Sequence, residues 1–274
     1  MKKLVLLALV LAISGIANAA VNVSTDGLTG LWRFQTSADK FQPTFGANAI
    51  VSSNSGNSGW MTGPWTAIGT PANGGLYSDG GCIQERSWDY ITVNPGFVAN
   101  GGGSYVNQYT IAFDYVQTSG LTGWNSLFQT AATGNAGDGD LWTDGAGHIG
   151  VGATGYSTLT YDASKWHRIV LSVDNSSFFR VYVDGVLFLD GAGQGVDGRF
   201  SLYTDKFHLF ADDSWEDAWG LVGTVATWNR ALSTSEVSAM GGWIDGAATP
   251  TALVIPEPIT LAVLALGGLL INRK

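Results

Sequence analysis

Two short segments concentrate the side chains able to do chemistry. Residues 135–144 carry Asp138, Asp140 and Asp144 among glycines, and the segment FADDSWEDAWG carries Asp212, Asp213, Glu216 and Asp217. Clustered carboxylates suit a hard cation, so calcium is the expected ion, with Asp138, Asp140, Asp212 and Asp213 as its candidate ligands. Neither segment is an EF-hand: a loop opening at Asp138 would need a glutamate where Ile149 stands. A Gly-Asp turn between strands accounts for the first segment equally well. His148, His167 and His208 are too scattered for a zinc site and belong to core or edge packing. Cys82 is the single cysteine, which excludes an intrachain disulfide and reads as a small buried hydrophobe.

The chain holds 11 tryptophans, many for its length, and aromatic faces grip sugars by stacking under their apolar C–H patches. Trp215 and Trp219 flank Glu216 in the acidic segment, which makes Trp215, Trp219 and Glu216 the candidate ligand-binding residues. Trp32, Trp166 and Trp228 sit in strand patterns and are expected in the core. For Trp60, Trp65, Trp124, Trp142, Trp215 and Trp219, core and surface positions both stay open.

The elements that must position these groups are strands. Glycine is abundant, proline scarce and long helical periodicity absent from the interior, the profile of many short strands joined by tight turns. The clearest text is WHRIVLSVDNSSFFRVYVDGVLFLDG, residues 166–191. Ile169, Leu171 and Val173 alternate with Val170 and Ser172; Phe179, Val181 and Val183 form the next apolar face. Asp184-Gly185 between two β-rich runs predicts a type I′ hairpin, because both central positions of that turn need positive φ. Residues 223–228 read as another strand, and Ser233 with Glu236 has capping-box spacing for a short helix stopped by Gly241. Residues 56–75 and 100–104 read as loops, and no internal repeat is found.

In chain order, GLWRF, NQYTIAFDYV, NSLFQT, WHRIVLSVD, VYVDG, GRFSLYTDKFHLFADD and NRALSTSEVSAMGG resemble the laminin-G-like jelly roll of the concanavalin A-like lectin and glucanase superfamily. The resemblance covers most of residues 28–242. It implies an all-β fold, a two-sheet antiparallel β-sandwich with one short C-terminal helix, the apolar chain ends adding terminal helices. Resembling sequences tend to carry a small residue where Trp215 stands, a departure that would place an aromatic at the rim. Some members hydrolyse glycosides with paired carboxylates. The E-x-D-x-x-E or E-x-D-x-E strand of the laminarinase-like glucanases is absent here, since Glu85 precedes Arg86-Ser87-Trp88 and Glu216 precedes Asp217-Ala218-Trp219. No catalytic residue is therefore assigned.

Both ends carry export features. Lys2 and Lys3, an apolar run over residues 4–16 and Ala17-Asn18-Ala19 make a cleavable signal of residues 1–19, read by a signal peptidase. At the other end, Pro256-Glu257-Pro258, an apolar run and a basic stop at Arg273 and Lys274 occupy residues 251–274. That order resembles the PEP-CTERM sorting signal of Gram-negative bacteria, which implies exosortase as a processing partner. The prolines break any continuing helix and the terminal cations hold the cytoplasmic side, so the membrane is met only through this segment before processing. Residues 20–250 are read as one domain. Without its ends the chain keeps 9 of 13 cations and 21 of 22 anions, a formal charge of −12 that argues against nucleic acid as a partner. The expected protein is secreted or on the cell surface and non-enzymatic, binding extracellular polysaccharide or another surface protein. A polysaccharide hydrolase or lyase and a ligand-free structural coat component are the alternatives.

Overall fold

Alternating faces in residues 166–191 become three consecutive antiparallel strands, and the rest of the chain supplies the layers around them. A computed structural model describes residues 25–34, 41–48, 50–52, 59–62, 81–85, 90–130, 137–214, 216 and 220–242. Among these the strands in chain order are β1 (Leu28–Trp32), β2 (Val51–Ser52), β3 (Gly59–Thr62), β4 (Gly81–Glu85), β5 (Ile91–Val93), β6 (Gln108–Gln117), β7 (Asn125–Gln129) and β8 (Leu141–Thr143). They continue as β9 (Ile149–Val151), β10 (Gly155–Tyr156), β11 (His167–Asp174), β12 (Phe178–Val183), β13 (Val186–Ala192), β14 (Phe207–Leu209) and β15 (Gly220–Trp228), followed by helix α1 (Thr234–Met240). No helix among the described residues is long and apolar enough to cross a membrane.

The strands form two antiparallel sheets packed as a sandwich. One runs β13-β12-β11-β6-β15-β4-β3, with β1 also on β15; the other runs β10-β9-β8-β7-β14-β5-β2. The period-two pattern decides which face each residue takes. Ile169, Leu171 and Val173 join Phe113, Phe179 and Val181 in the core between the sheets, while Val170, Tyr182 and Trp228 point outward against α1, meeting Val237 and Met240. Along β6, β11 and β15 the larger sheet therefore buries both faces. Trp32 on β1, Trp228 on β15 and Trp166, immediately before β11, are all buried.

Local signals also act as expected. Asp184 and Gly185 take φ of 51° and 79°, the pair of positive values a type I′ turn demands. Ser233 and Glu236 close a reciprocal capping box, and Glu236 is further held by Arg230, Nη1 to Oε2 at 3.1 Å. Gly241 ends the helix with φ 55° but ψ −149°, so the chain leaves in an extended direction rather than a left-handed one. Beneath the helix, Arg168 and Asp114 form a fully buried ion pair at 2.8 Å, and Arg168 Nη1 donates to the Met240 carbonyl at 2.8 Å. That bond satisfies a helix-end carbonyl from inside the protein.

One loop expectation is corrected. Within residues 56–75 the structure has β3, paired antiparallel to β4 from Gly59 opposite Gln84 to Thr62 opposite Gly81. The strand-forming run Trp60-Met61-Thr62 finds a partner remote in sequence, which outweighs its Gly- and Ser-rich flanks. Residues 100–104 do form a loop.

Candidate functional site

At one edge of the smaller sheet the strands shorten to three and two residues, and a row of partners crosses them: Ser126 on β7, Trp142 on β8, Gly150 on β9 and Tyr156 on β10. Residues opposite one another share a face, so Trp142 and Tyr156 stand on the same side with a glycine between them. Ser126 ties the acidic segment down on this row, its Oγ donating to the Ala211 carbonyl at 2.7 Å and its N–H to the Glu216 carbonyl at 2.7 Å. The loop before β8 folds over Trp142, whose Nε1 donates to the Gly139 carbonyl at 3.0 Å. A Cβ on Gly139 would stand 2.8 Å from the Trp142 ring, so only glycine permits that approach.

Trp124 enters from the turn before β7. Its ring centroid lies 5.0 Å from that of Tyr156 with the planes 55° apart, and the two residues are 45% and 38% exposed. Together with Asp138, Arg199 and Glu216 they line a cleft of about 420 Å³. That falls within the ~300–1,000 Å³ usual for small-molecule sites.

The polar wall is organised by Arg199. Its Nε donates to Asp140 Oδ1 at 2.8 Å, and its Nη2 donates to Asp138 Oδ2 at 3.2 Å and to the Gly139 carbonyl at 3.0 Å. Asp140 is fully buried and also accepts the Thr130 N–H at 2.9 Å. Burial pushes its carboxyl up, against the opposing pull of Thr130 and Arg199. The expectation that Asp140 is a metal ligand thus meets an inward-facing carboxylate that anchors Arg199.

Asp138, Asp212 and Asp213 do converge, with one carboxylate oxygen of each lying within 4.8 Å of the others. Asp212 Oδ2 takes the Ser214 N–H at 2.7 Å, and Asp213 Oδ1 takes the Ser214 hydroxyl at 2.8 Å. Partial burial raises the pKa of neighbouring Glu216, and the fields of Asp212, Asp138 and Asp213 raise it further. Tyr156 is raised by burial first and by Asp138 next. Both shifts come first from burial, with the cleft's carboxylates adding to it.

Two acidic segments read separately in the sequence therefore meet through Asp138, Asp212 and Asp213. Asp144 stays apart, closing its own turn by accepting the N–H groups of Ala146 and His148 at 2.9 Å and pairing with His148 Nδ1 at 2.8 Å. His167 pairs with Asp184 at 2.7 Å and His208 with the Thr92 hydroxyl at 2.9 Å, so the histidines do edge and core work at three separate places. Glu216 lines the cleft, while its proposed companions Trp215 and Trp219 lie outside the described residues, as do Asp217, the signal at residues 1–19 and Pro256, Glu257, Pro258, Arg273 and Lys274.

The sequence pattern leaves Trp124 and Trp142 open between core and surface, and it does not single out Tyr156 or Arg199. A usable signal existed for three of them. Trp124 follows a glycine in the turn before β7, where a large aromatic has no strand neighbour to bury it, Tyr156 follows Gly155 at the end of the two-residue β10, and Arg199 is the one cation among residues 166–205 outside the strands.

The model of the concanavalin A-like lectin/glucanases superfamily matches residues 88–238, more than half of the chain. None of the curated proteins matches the sequence. Among solved structures, Trypanosoma rangeli sialidase in complex with sialic acid is 18% identical with a TM-score of 0.55, covering 80% of this chain and 33% of the sialidase. The botulinum neurotoxin serotype D binding domain is 13% identical with a TM-score of 0.50, covering 78% of this chain and 50% of that one. Domain 4 of a Geobacillus stearothermophilus arabinanase, in complex with arabinotriose, is 16% identical with a TM-score of 0.48, covering 77% and 96%. The chain thus spans about a third of the sialidase and half of the neurotoxin domain, and these likenesses establish the sandwich.

Proposed function

We propose that this chain, which belongs to the concanavalin A-like lectin/glucanases superfamily, is a non-catalytic glycan-binding protein of the bacterial cell surface or extracellular matrix. One observation carries the reading: Trp124 and Tyr156 are kept substantially exposed, 5.0 Å apart, over a cleft whose rim offers Asp138, Glu216 and Arg199. Exposed paired aromatics beside hydrogen-bonding groups match what a sugar ring needs, an apolar surface under its C–H face and polar partners at its edge. The likeness to sialidase supplies the scaffold, not the ligand. Delivery rests on the ends of the chain: a signal at residues 1–19 and a PEP-CTERM-like segment at residues 251–274, processed by signal peptidase and exosortase.

The test is binding of a polysaccharide panel to the full-length chain and to Trp124→Ala. Binding that falls at least tenfold in the variant supports the reading; no binding to any polysaccharide, or binding indifferent to Trp124, removes it.

Calcium is the ion we propose for Asp138, Asp212 and Asp213. The donor set fits a hard cation in type, and it supplies three carboxylates of the ~6–8 oxygens calcium prefers, so water would complete the shell. A hydrolase remains the competing reading on one specific observation: Glu216, with its raised pKa, shares an aromatic-lined cleft with Asp138, the pairing an acid and a second carboxylate would use. Release of reducing ends from β-glucans, lost in Glu216→Gln, would establish that reading in place of ours.

A further inference from the structure

Resting on the glycan-binding reading of the same cleft, we infer that its preferred ligand is a cationic amino-sugar polymer, a hexosamine chain with free protonated amines. Neutral polymers bind more weakly and anionic ones, uronates or sialates, are rejected.

Residues 118–124, 131–147, 150–157 and 211–219, the segments that contribute Trp124, Asp138, Tyr156 and Glu216, contain no lysine or arginine. Among the described lining residues Arg199 is the one cation, and its guanidinium is turned to the buried Asp140 and to Asp138. Against it stand Asp138 and Glu216 in the lining, with Asp212 and Asp213 converging alongside Asp138. The carboxylate oxygens of Asp138, Asp212 and Asp213 lie within 4.8 Å of one another, inside the ~8 Å over which physiological salt leaves electrostatics effective, and Glu216 lines the same cleft, so a carboxylate-bearing sugar meets like charge there.

The aromatics point the same way. A cation over the face of a tryptophan or tyrosine is attracted by the ring quadrupole, and tilted rings combined with carboxylates are how proteins recognise ammonium groups. Trp124 and Tyr156, at 55° to one another, supply two such faces next to Asp138 and Glu216. A protonated ring amine would place its three donors against the carboxylates while the pyranose C–H face covers an aromatic ring. An N-acetylated sugar keeps the stacking and forfeits the charge. A uronate keeps the stacking and meets like charge.

The test is calorimetric titration of the full-length chain with hexamers of glucosamine, N-acetylglucosamine, glucose (cellohexaose) and galacturonic acid, and with tetralysine, at low and high salt. At low salt the glucosamine hexamer should bind about five- to tenfold more tightly than its N-acetylated counterpart, the worth of two partly exposed ion pairs. The ratio should shrink toward one at high salt, and the galacturonate hexamer should not bind. Glu216→Gln and Asp138→Asn should each lower glucosamine binding more than cellohexaose binding, bringing the ratio of the two toward one; Glu216 is exposed, so its variant keeps the fold if Asp138→Asn does not. Millimolar calcium should compete with the glucosamine hexamer and not with cellohexaose.

Equal or tighter binding of the N-acetylated or galacturonate hexamer would overturn this inference while leaving glycan binding intact. Tetralysine binding more tightly than any sugar would overturn it in favour of a basic peptide. Failure of every sugar would remove the underlying reading as well.

Discussion

Replacing Asp114 by asparagine is the most decisive perturbation of the fold that carries the cleft. Asp114 and Arg168 are each 1% exposed in their side chains and meet at 2.8 and 3.1 Å through Arg168 Nε and Nη2. Asparagine preserves shape but leaves the guanidinium buried against a neutral amide, and uncompensated buried charges cost about 3–5 kcal/mol. Arg168 also donates to the Met240 carbonyl, so its displacement would loosen α1 and reopen the outer face lined by Val170, Tyr182 and Trp228. With a urea m-value of about 3 kcal/mol/M, the unfolding midpoint should fall by about 1–2 M. A double variant, Asp114→Leu with Arg168→Met, should recover most of the loss, because an apolar pair of similar volume needs no charge compensation. A midpoint for Asp114→Asn within about 0.3 M of the parent would mean that the guanidinium is hydrated, and the reasoning would fail. A double variant as unstable as the single one would equally refute the claim that the orphaned charge, rather than the lost attraction, sets the cost.

Three further outcomes follow from individual contacts. Gly139→Ala should drive a methyl into Trp142 and Ser126, shifting the tryptophan fluorescence and weakening binding to neutral and amino-sugar hexamers alike, with a stability loss of about 1–3 kcal/mol in thermal unfolding. Burial, reinforced by Lys206, lowers the His208 pKa from 6.5 to about 4, so the folded protein keeps it neutral where the unfolded chain protonates it. Stability from this group is complete above pH 6.5 and declines as pH falls to 4, by about 2 kcal/mol once partial exposure is allowed for; His208→Gln should flatten the decline measured by denaturation at stepped pH. Glu236 is held at about 2 by Arg230 first and then by the Ser233 cap, so its contribution is present above pH 4.5 and lost as pH falls to 2. Screening at its 32% exposed side chain limits that contribution to about 1 kcal/mol, and Glu236→Gln should match the parent at pH 2 while falling short at pH 7.

Legibility followed the range over which each interaction acts. The hairpin at Asp184-Gly185, the capping box at Ser233 and the alternation of residues 169–173 are set by neighbours in sequence, and each stands in the structure as its local pattern requires. The pairing of β3 with β4 and the insertion of β15 between β6 and β4 are not local, and Gly-rich flanks masked β3. The site divided along the same line. Carboxylate density picked out Asp138, Asp212, Asp213 and Glu216, yet nothing in either segment said that the two would meet. Asp140 looked equivalent to Asp138 two residues away, but the loop before β8 turns it to the interior, where the Thr130 N–H and Arg199 hold it, while Asp138 stays at the surface.

Why the cleft lies where it does follows from how the sandwich spends its faces. The larger sheet has long strands, its inner face in the shared core and its outer face under α1 and the Leu232 segment, so β6, β11 and β15 are buried almost throughout. No ligand can reach it there. The smaller sheet tapers instead: β8, β9 and β10 are short, and Gly150 leaves a gap in the row between Trp142 and Tyr156. Missing side chains at an edge create concavity without needing a cavity in the core, which would cost packing energy. Loops from both sheets then reach that edge, bringing Asp138, Arg199 and Glu216 from three separate connections. Because each arrives on a loop anchored to the scaffold by Ser126, Asp140 and Thr130, the charge pattern of the rim can change without disturbing the layers beneath. Ligand choice therefore resides in the loop charges and the two exposed rings, and fold likeness alone carries no information about it.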